Sequence, residues 1–347
     1  MTPGKTSLLL LLILMLMLTM TGCWAGSQDE LIPQAKNFFA MDTVVTVEVF
    51  APEARDVDAL FVEIEGELTR LEQILSSHLP GSDIAEIGKG SGSEPVAVEQ
   101  ETLSVVATAL HYAELSGGAF DISLAPVLQL YDFANGVRPS DEQLKSELAL
   151  VDWRAINLDE AAGTVYLSQE GMSIDLGGIA KGYITDRIAA ILEANGIDFG
   201  LVNAGGDIRF LGPKTDGTPW RVGIKNPDEP SEYFAIVEAQ GGSIVTSGDY
   251  ERYFVEGGKR YHHIINPATG LPASEVRSVT VIATDALLAD LLSTAVFVLG
   301  EQGMDLVEEL DGVEAIIWGQ TDKVTWSQGL ELVSDGAASV EYYFKKK

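Results

Sequence analysis

The chain has one cysteine, Cys23, among 347 residues. No disulfide can form within it, and no thiolate-based zinc site is available. Histidine is also scarce, with four in the chain, and no HExxH pair occurs to hold a catalytic zinc. The glycine signatures of common nucleotide sites are missing: neither GxxxxGK[ST] nor GxGxxG is present. GxSxG is absent too, so no Ser-His-Asp triad can be argued. Positive charge is short as well. Against 52 acidic residues stand 22 basic ones, for a net charge of −30. Such a surface repels nucleic acid and anionic headgroups, which argues against DNA or RNA partners. Any anionic ligand would then need local shielding, from a metal ion or from backbone dipoles. There is no internal repeat and no long low-complexity linker.

What is present begins at the amino terminus. Lys5 precedes an apolar run, Leu8 to Leu18, and Thr19-Met20-Thr21-Gly22-Cys23 follows. That is the pattern of a short signal segment ending in small residues, and it is too short for a comfortable membrane span. A lone cysteine at this position resembles the lipobox of bacterial lipoproteins, whose thiol is acylated after cleavage. The expectation is therefore a signal peptide over 1–22, lipidation at Cys23, a polar tether over 23–36 and a folded domain over 37–347. The protein would sit in the cell envelope, lipid-anchored to the outer face of the cytoplasmic membrane. Cleavage would remove one base, Lys5, and no acid, so the mature chain is more acidic still.

Further along, Thr43–Phe50 alternates apolar and polar residues with β-branched members, which predicts a strand. Apolar residues from Val57 to Leu75 recur at three and four, which predicts an amphipathic helix. Pro80–Ser93 reads as loop. Thr102–Ser116 reads as a second helix, closed by Gly117-Gly118. From Asp152 the texture changes to short strands: Thr164–Leu167, Phe199–Val202, Ile208–Leu211, Arg221–Ile224, Phe234–Glu238 and Tyr261–Ile265. Ser278–Ala283 is another alternating strand. Asp285–Leu299 is a strongly apolar helix, Gly300–Leu310 a further one, and Val313–Trp318 a late buried strand. Strands in the middle with long helices toward both ends predict an α+β fold with largely antiparallel sheets.

Asp175 to Tyr183, DLGGIAKGY, is the most informative stretch. Apolar Met172-Ser173-Ile174 leads in as a strand, three glycines follow, and a helical apolar pattern continues through Ile188 and Leu192. A strand opening through glycines into a helix points backbone N–H groups and a positive dipole end at a ligand, which suits a phosphate. A tight structural turn would read the same way. Asp290 and Thr294 stack a carboxylate and a hydroxyl on one face of the late helix. A carboxylate on an apolar helix is costly to bury unless it is paired or binds metal, and two hard oxygens suit Mg²⁺ or Ca²⁺. The alternative is a solvent-facing Asp290 beside a back-bonded Thr294. His262 and His263 end a strand and point to opposite faces, so they are poor joint metal ligands. One of them faces a site, or else is a hydrogen-bonded surface group.

Seven segments in order resemble the ApbE family, the FAD:protein FMN transferases, over nearly the whole mature chain. They are Met41-Asp42-Thr43, GGAFDIS at Gly117–Ser123, DLGGIAKGY at Asp175–Tyr183 and NAGGDIR at Asn203–Arg209. TSGDYER at Thr246–Arg252, HHIINPATG at His262–Gly270 and ADLLSTA at Ala289–Ala295 complete the set. The resemblance implies an ApbE-like fold that binds FAD, cuts its pyrophosphate, passes FMN to a Thr or Ser hydroxyl of an acceptor flavoprotein subunit and releases AMP. It implies Mg²⁺ held by Asp290, Thr294 and the Ala180 carbonyl. It implies FAD lined by Met41, Ala119, Phe120, Asp121, Gly177, Tyr183 and the chain at His263-Ile264. It assigns His263 and Asp290 to catalysis. Three positions depart from the family: Asp42 stands where glycine is usual, and Asn266 where aspartate is. His78 takes a place where Tyr or Trp often stacks on a ring, and is carried as a further ligand contact. The acceptor would belong to a membrane or envelope redox system. Two other activities fit the same residues. An FAD pyrophosphatase would yield FMN and AMP, and a non-catalytic flavin-binding lipoprotein would bind FAD without turnover.

Overall fold

The computed structural model describes residues 30–321, 323–333 and 342–346. The signal segment, Cys23 and the first tether residues lie outside the described residues. The body is organised by an eight-stranded sheet built from β1 (Leu31–Ala40), β2 (Thr43–Pro52), β6 (Gly200–Ala204), β7 (Asp207–Leu211), β10 (Gly242–Gly248), β13 (Val276–Ala283), β14 (Glu314–Gly319) and β15 (Val324–Trp326). They lie side by side in that order, every neighbouring pair antiparallel. A smaller sheet holds β3 (Val96–Ala97), β4 (Ile156–Asp159) and β5 (Thr164–Leu167). A third holds β8 (Trp220–Lys225), β9 (Tyr233–Ala239), β16 (Leu330–Leu332) and β17 (Tyr342–Lys346). Within it β17 and β9 run parallel. The strands β11 (Tyr253–Glu256) and β12 (Lys259–His262) form a hairpin of their own.

The period of two in the central strands explains the layering. Val245, Val279, Val281, Ala315 and Ile317 point into a large core shared with the helices. Their neighbours Ile244, Ile282, Ile316 and Trp318 point the other way, into a second core with Phe234 and Phe344 of the third sheet. Both faces of the main sheet are thus covered, and the result is the expected α+β architecture with largely antiparallel sheets.

Several expectations shift in detail. Residues 31–36, read as tether, form the first half of β1, because pairing with β2 from Leu31↔Pro52 to Ala40↔Thr43 gives their backbone a partner. The Pro80–Ser93 loop contains a helix, Asp83–Lys89, where the Ser82 side chain caps the Ala85 N–H and Ile84 and Ile87 are buried. Met172-Ser173-Ile174 joins no sheet, and the Asp175 N–H that follows donates to the Ile122 carbonyl. The strand expected over Tyr261–Ile265 stops at His262.

Two features of this frame aim residues at one place. The β1–β2 turn is two residues long, and Met41 (φ 50°) and Asp42 (φ 57°) both adopt the left-handed conformation that such a hairpin demands. Aspartate tolerates that region, which accounts for Asp42 in a place where glycine is usual; Met41 holds it under strain.

The second feature is a close crossing of the helices Ala180–Ala194 and Ala286–Leu299. Asp186 reaches across to cap the second helix, accepting from the N–H groups of Ala286 (2.9 Å) and Leu287 (2.8 Å). The backbones come so near that a Cβ on Gly182 would lie 2.2 Å from the Ala286 carbonyl oxygen. Replacing an interior helix glycine by alanine ordinarily stabilises by up to about 1 kcal/mol. Here Gly182→Ala is expected to destabilise by about 1–3 kcal/mol, because the methyl overpacks a backbone-to-backbone contact. Urea unfolding followed by circular dichroism measures the sign, and a stabilised variant would refute the close crossing.

Candidate active site

The glycine loop is held from both sides by Asp175. One carboxylate oxygen accepts from the Gly177 N–H at 2.8 Å, the other from the Ser77 hydroxyl at 2.7 Å. This ties the end of helix Asp58–Leu75 to the start of helix Ala180–Ala194. At Gly178 a side chain would meet the Phe120 ring at 3.1 Å and the Thr294 hydroxyl at 3.3 Å. Phe120, the glycine loop and Thr294 therefore meet around one backbone position, as the ordered motifs imply.

Behind the loop lies a buried charge cluster. Asp290 and Asp207 are 2% and 4% exposed. The reading of Asp290 as solvent-facing is thereby excluded. One Asp290 oxygen accepts from the Gly182 N–H at 2.9 Å, and the other takes the Lys181 ammonium at 3.0 Å. The same ammonium lies 2.5 Å from Asp207. Burial alone would lower the pKa of Lys181, but the two carboxylates outweigh it and hold it above the ordinary lysine value. Burial pushes Asp207 up to about 6 despite Lys181, with Asp290 adding to the rise. Lys181 and Asp207 were not among the residues expected at the site. The available signals were Lys181 as the one cation in DLGGIAKGY, and Asp207 as an acid in a glycine turn after a strand.

The two histidines divide as their alternation requires. His262 is a satisfied core group: its Nε2 lies 2.8 Å from the Ala273 carbonyl oxygen, its Nδ1 accepts from the Ile264 N–H, and its ring packs edge-on against Phe297. His263 points the other way, and its buried Nδ1 has no hydrogen-bond partner within the described residues. Burial first, then the nearby cations Arg252 and Lys181, lower its pKa to about 3. That Lys181 acts on it places His263 within electrostatic reach of the carboxylate cluster.

The remaining expected residues are distributed around this centre. The Met41 N–H donates to Glu72 at 2.8 Å, and the neighbouring turn abuts the one leading to Asp207, where the Gly205 N–H donates to the Val44 carbonyl. Ala119 is buried beside Phe120. Asp121 serves the chain itself, accepting from the Ser123 N–H and hydroxyl and from the Trp153 N–H. Burial raises its pKa against those bonds. His78 is exposed and follows Ser77, one residue from the Asp175 clamp. Tyr183 is half-buried, and the charges acting on its phenol are Arg187, Glu101, Arg70 and Glu67. It therefore faces a different side of its helix from Lys181. Both backbone groups of Ile264 are engaged within the chain, to His262 and Ala273, leaving it no free amide for a ligand.

Among the described residues no group of three or more histidine, cysteine, aspartate or glutamate side chains is placed to hold a metal. A divalent ion here would rest on mixed hard oxygens: the Asp290 carboxylate, the Thr294 hydroxyl, which has no hydrogen-bond partner among the described residues, and a carbonyl at Ala180. Buried carboxylates already needing a counter-charge fit such an ion.

Lys181→Met should expose that need. With two buried carboxylates left uncompensated, the variant is expected to lose about 3–5 kcal/mol at pH 8 in the presence of a chelator. A buried carboxyl with a raised pKa costs stability as pH rises through it, so the loss should shrink as pH falls from 8 toward 5. Unfolding curves across that range measure it; a constant loss would contradict the charge account.

Residues 41–317 match the family model described as the ApbE family. The FAD:protein FMN transferase of Treponema pallidum (strain Nichols) is 37% identical over 307 residues, spanning 83% of this chain and 85% of that protein. That of Escherichia coli (strain K12) is 31% identical over 259 residues, spanning 72% and 74%. Among solved structures, an ApbE protein from Thermotoga maritima superposes with a TM-score of 0.79 at 34% identity, covering 86% of this chain and 97% of its own. The flavin transferase ApbE from Vibrio cholerae gives 0.77 at 30% identity, covering 86% and 98%. The match runs from the strained turn at Met41, through the glycine loop and both crossing helices, to the strand after them: this chain belongs to the ApbE family.

Proposed function

We propose that the protein is an FAD:protein FMN transferase. The observation that carries this reading is the convergence of the glycine loop, Phe120, Thr294, the Lys181–Asp207–Asp290 cluster and His263 in a chain of that family. In the reaction an acceptor Ser or Thr oxygen bonds to the phosphorus of the FMN half. The bond from that phosphorus to the bridging oxygen breaks, AMP leaves with that oxygen, and the hydroxyl proton passes to a base.

The helix start after the glycine loop supplies a positive dipole end for phosphate oxygens, its Gly177 and Gly182 amides being engaged by Asp175 and Asp290, and Phe120 supplies an apolar wall beside it. Lys181 holds the Asp290 carboxylate in place. Mg²⁺, held by Asp290, Thr294 and the Ala180 carbonyl, would neutralise pyrophosphate charge that otherwise repels the incoming oxygen. His263 stays neutral, so a lone pair is available to take the proton. A group held near pKa 3 is a weak base, and an arriving phosphate anion strengthens it by favouring the imidazolium. Positioning and charge stabilisation then carry most of the rate. Lipidation at Cys23 would hold this chemistry at the outer face of the membrane, beside an acceptor flavoprotein of an envelope redox system.

The test mixes protein, FAD, Mg²⁺ and an acceptor domain and detects added FMN by mass, with AMP measured in parallel. Covalent FMN together with AMP is expected. AMP without acceptor would indicate a pyrophosphatase, and tight FAD binding without turnover a carrier. Asp290→Ala should abolish turnover, and full activity in that variant would refute the metal assignment. His263→Ala is expected to lower kcat about 10²–10⁴-fold with FAD still bound. Because the free imidazole titrates near pH 3, kcat/KM should show no fall from His263 between pH 8 and pH 5. An acid limb at the ordinary histidine value, lost in His263→Ala, would contradict the burial.

A further inference from the structure

Arg252 stands out once its partners are counted. The chain has more than twice as many acids as bases. Each other arginine among the described residues has a hydrogen bond, an ion pair or a ring contact. The Arg252 side chain has none among the described residues, and the residue is exposed. In so acidic a body, acceptors for a guanidinium are plentiful, and even the adjacent Glu251 pairs with Lys225 instead.

Its position is fixed by the β11–β12 hairpin. Tyr253 pairs with His262, and one step further out the His263 N–H donates to the Arg252 carbonyl at 3.1 Å. Residues directly opposite in an antiparallel pair project to the same face. Arg252 and His263 therefore share one face, while Tyr253 and His262 occupy the other. The base of the hairpin is tied down by ion pairs. Buried Asp249 bridges Arg260 and Arg277, each at 2.7 Å, three residues before Arg252. A held turn thus presents a guanidinium on the same face as an imidazole whose buried Nδ1, like the guanidinium, lacks a partner among the described residues.

We propose that Arg252 binds an oxyanion of the flavin dinucleotide's pyrophosphate, at the His263 side of the site. This rests on the transferase reading and adds a residue to it. A guanidinium donates two parallel, charge-assisted hydrogen bonds to a phosphate. It also supplies positive charge that a chain of net charge −30 otherwise has little of.

The test is a comparison of two ligands on the purified full chain: FAD, which carries the pyrophosphate, and riboflavin, which carries no phosphate. Affinities are read by flavin fluorescence. Arg252→Gln is expected to weaken FAD about 10- to 100-fold and leave riboflavin unchanged. Arg252→Lys, which keeps the charge without the fork, should fall between. Equal weakening of both ligands would show a structural role, and unchanged FAD affinity would show no role; either overturns the assignment. Binding is measured separately from FMN transfer. A wild-type chain that binds FAD but transfers nothing refutes the transferase reading while leaving the Arg252 comparison decisive. A wild-type chain that binds no FAD refutes both.

Discussion

The structure depends on the crossing of two helices at Gly182. Because the backbones touch there, the Asp290 carboxylate can reach a helix N–H and the Lys181 ammonium at once. Asp186 reinforces the contact from the other direction by capping the late helix. A carboxylate buried to this degree survives only when its charge is answered on the spot. What the site offers follows from that answer: a fixed acid and a fixed cation beside a helix start.

The site is assembled from distant parts of the chain. The strained β1–β2 turn, the Asp207 turn, the glycine loop, the end of β12 and the late helix are spread over more than two hundred residues. The antiparallel sheet gathers them, since neighbouring strands bring their turns to shared edges. Strain at Met41 and the orphaned nitrogen of His263 concentrate in the same region. Native folds tolerate such local costs where the surroundings over-determine them, and they gather at functional sites.

Charge explains much of the remaining design. In a body this acidic, an anionic dinucleotide meets repulsion at most surfaces. With Lys181 taken up by Asp207 and Asp290, the helix start after the glycine loop and the unengaged Arg252 side chain are the positive elements near the site. Other arginines are spent on structure, such as the pair that locks Asp249. Whether a cation serves the fold or the ligand is decided by which acids its strand or helix places within reach.

The linear chain settled the α+β class, the long helices and most strands, because apolar period is a local property. It also located the glycine loop, Asp290, Thr294 and His263, since each sits in a compact, recognisable string. It could not show that residues 31–36 form a strand rather than a tether, because their partner β2 supplies the reason. Nor could it place a helix in Asp83–Lys89, whose stability comes from one cap and two buried isoleucines. The role of Lys181 is decided only in three dimensions: a lysine is mute until two carboxylates, one 26 and the other 109 positions away, close on it. Local pattern determines what each segment can be, while burial and charge pairing, which need the whole fold, determine what each side chain does.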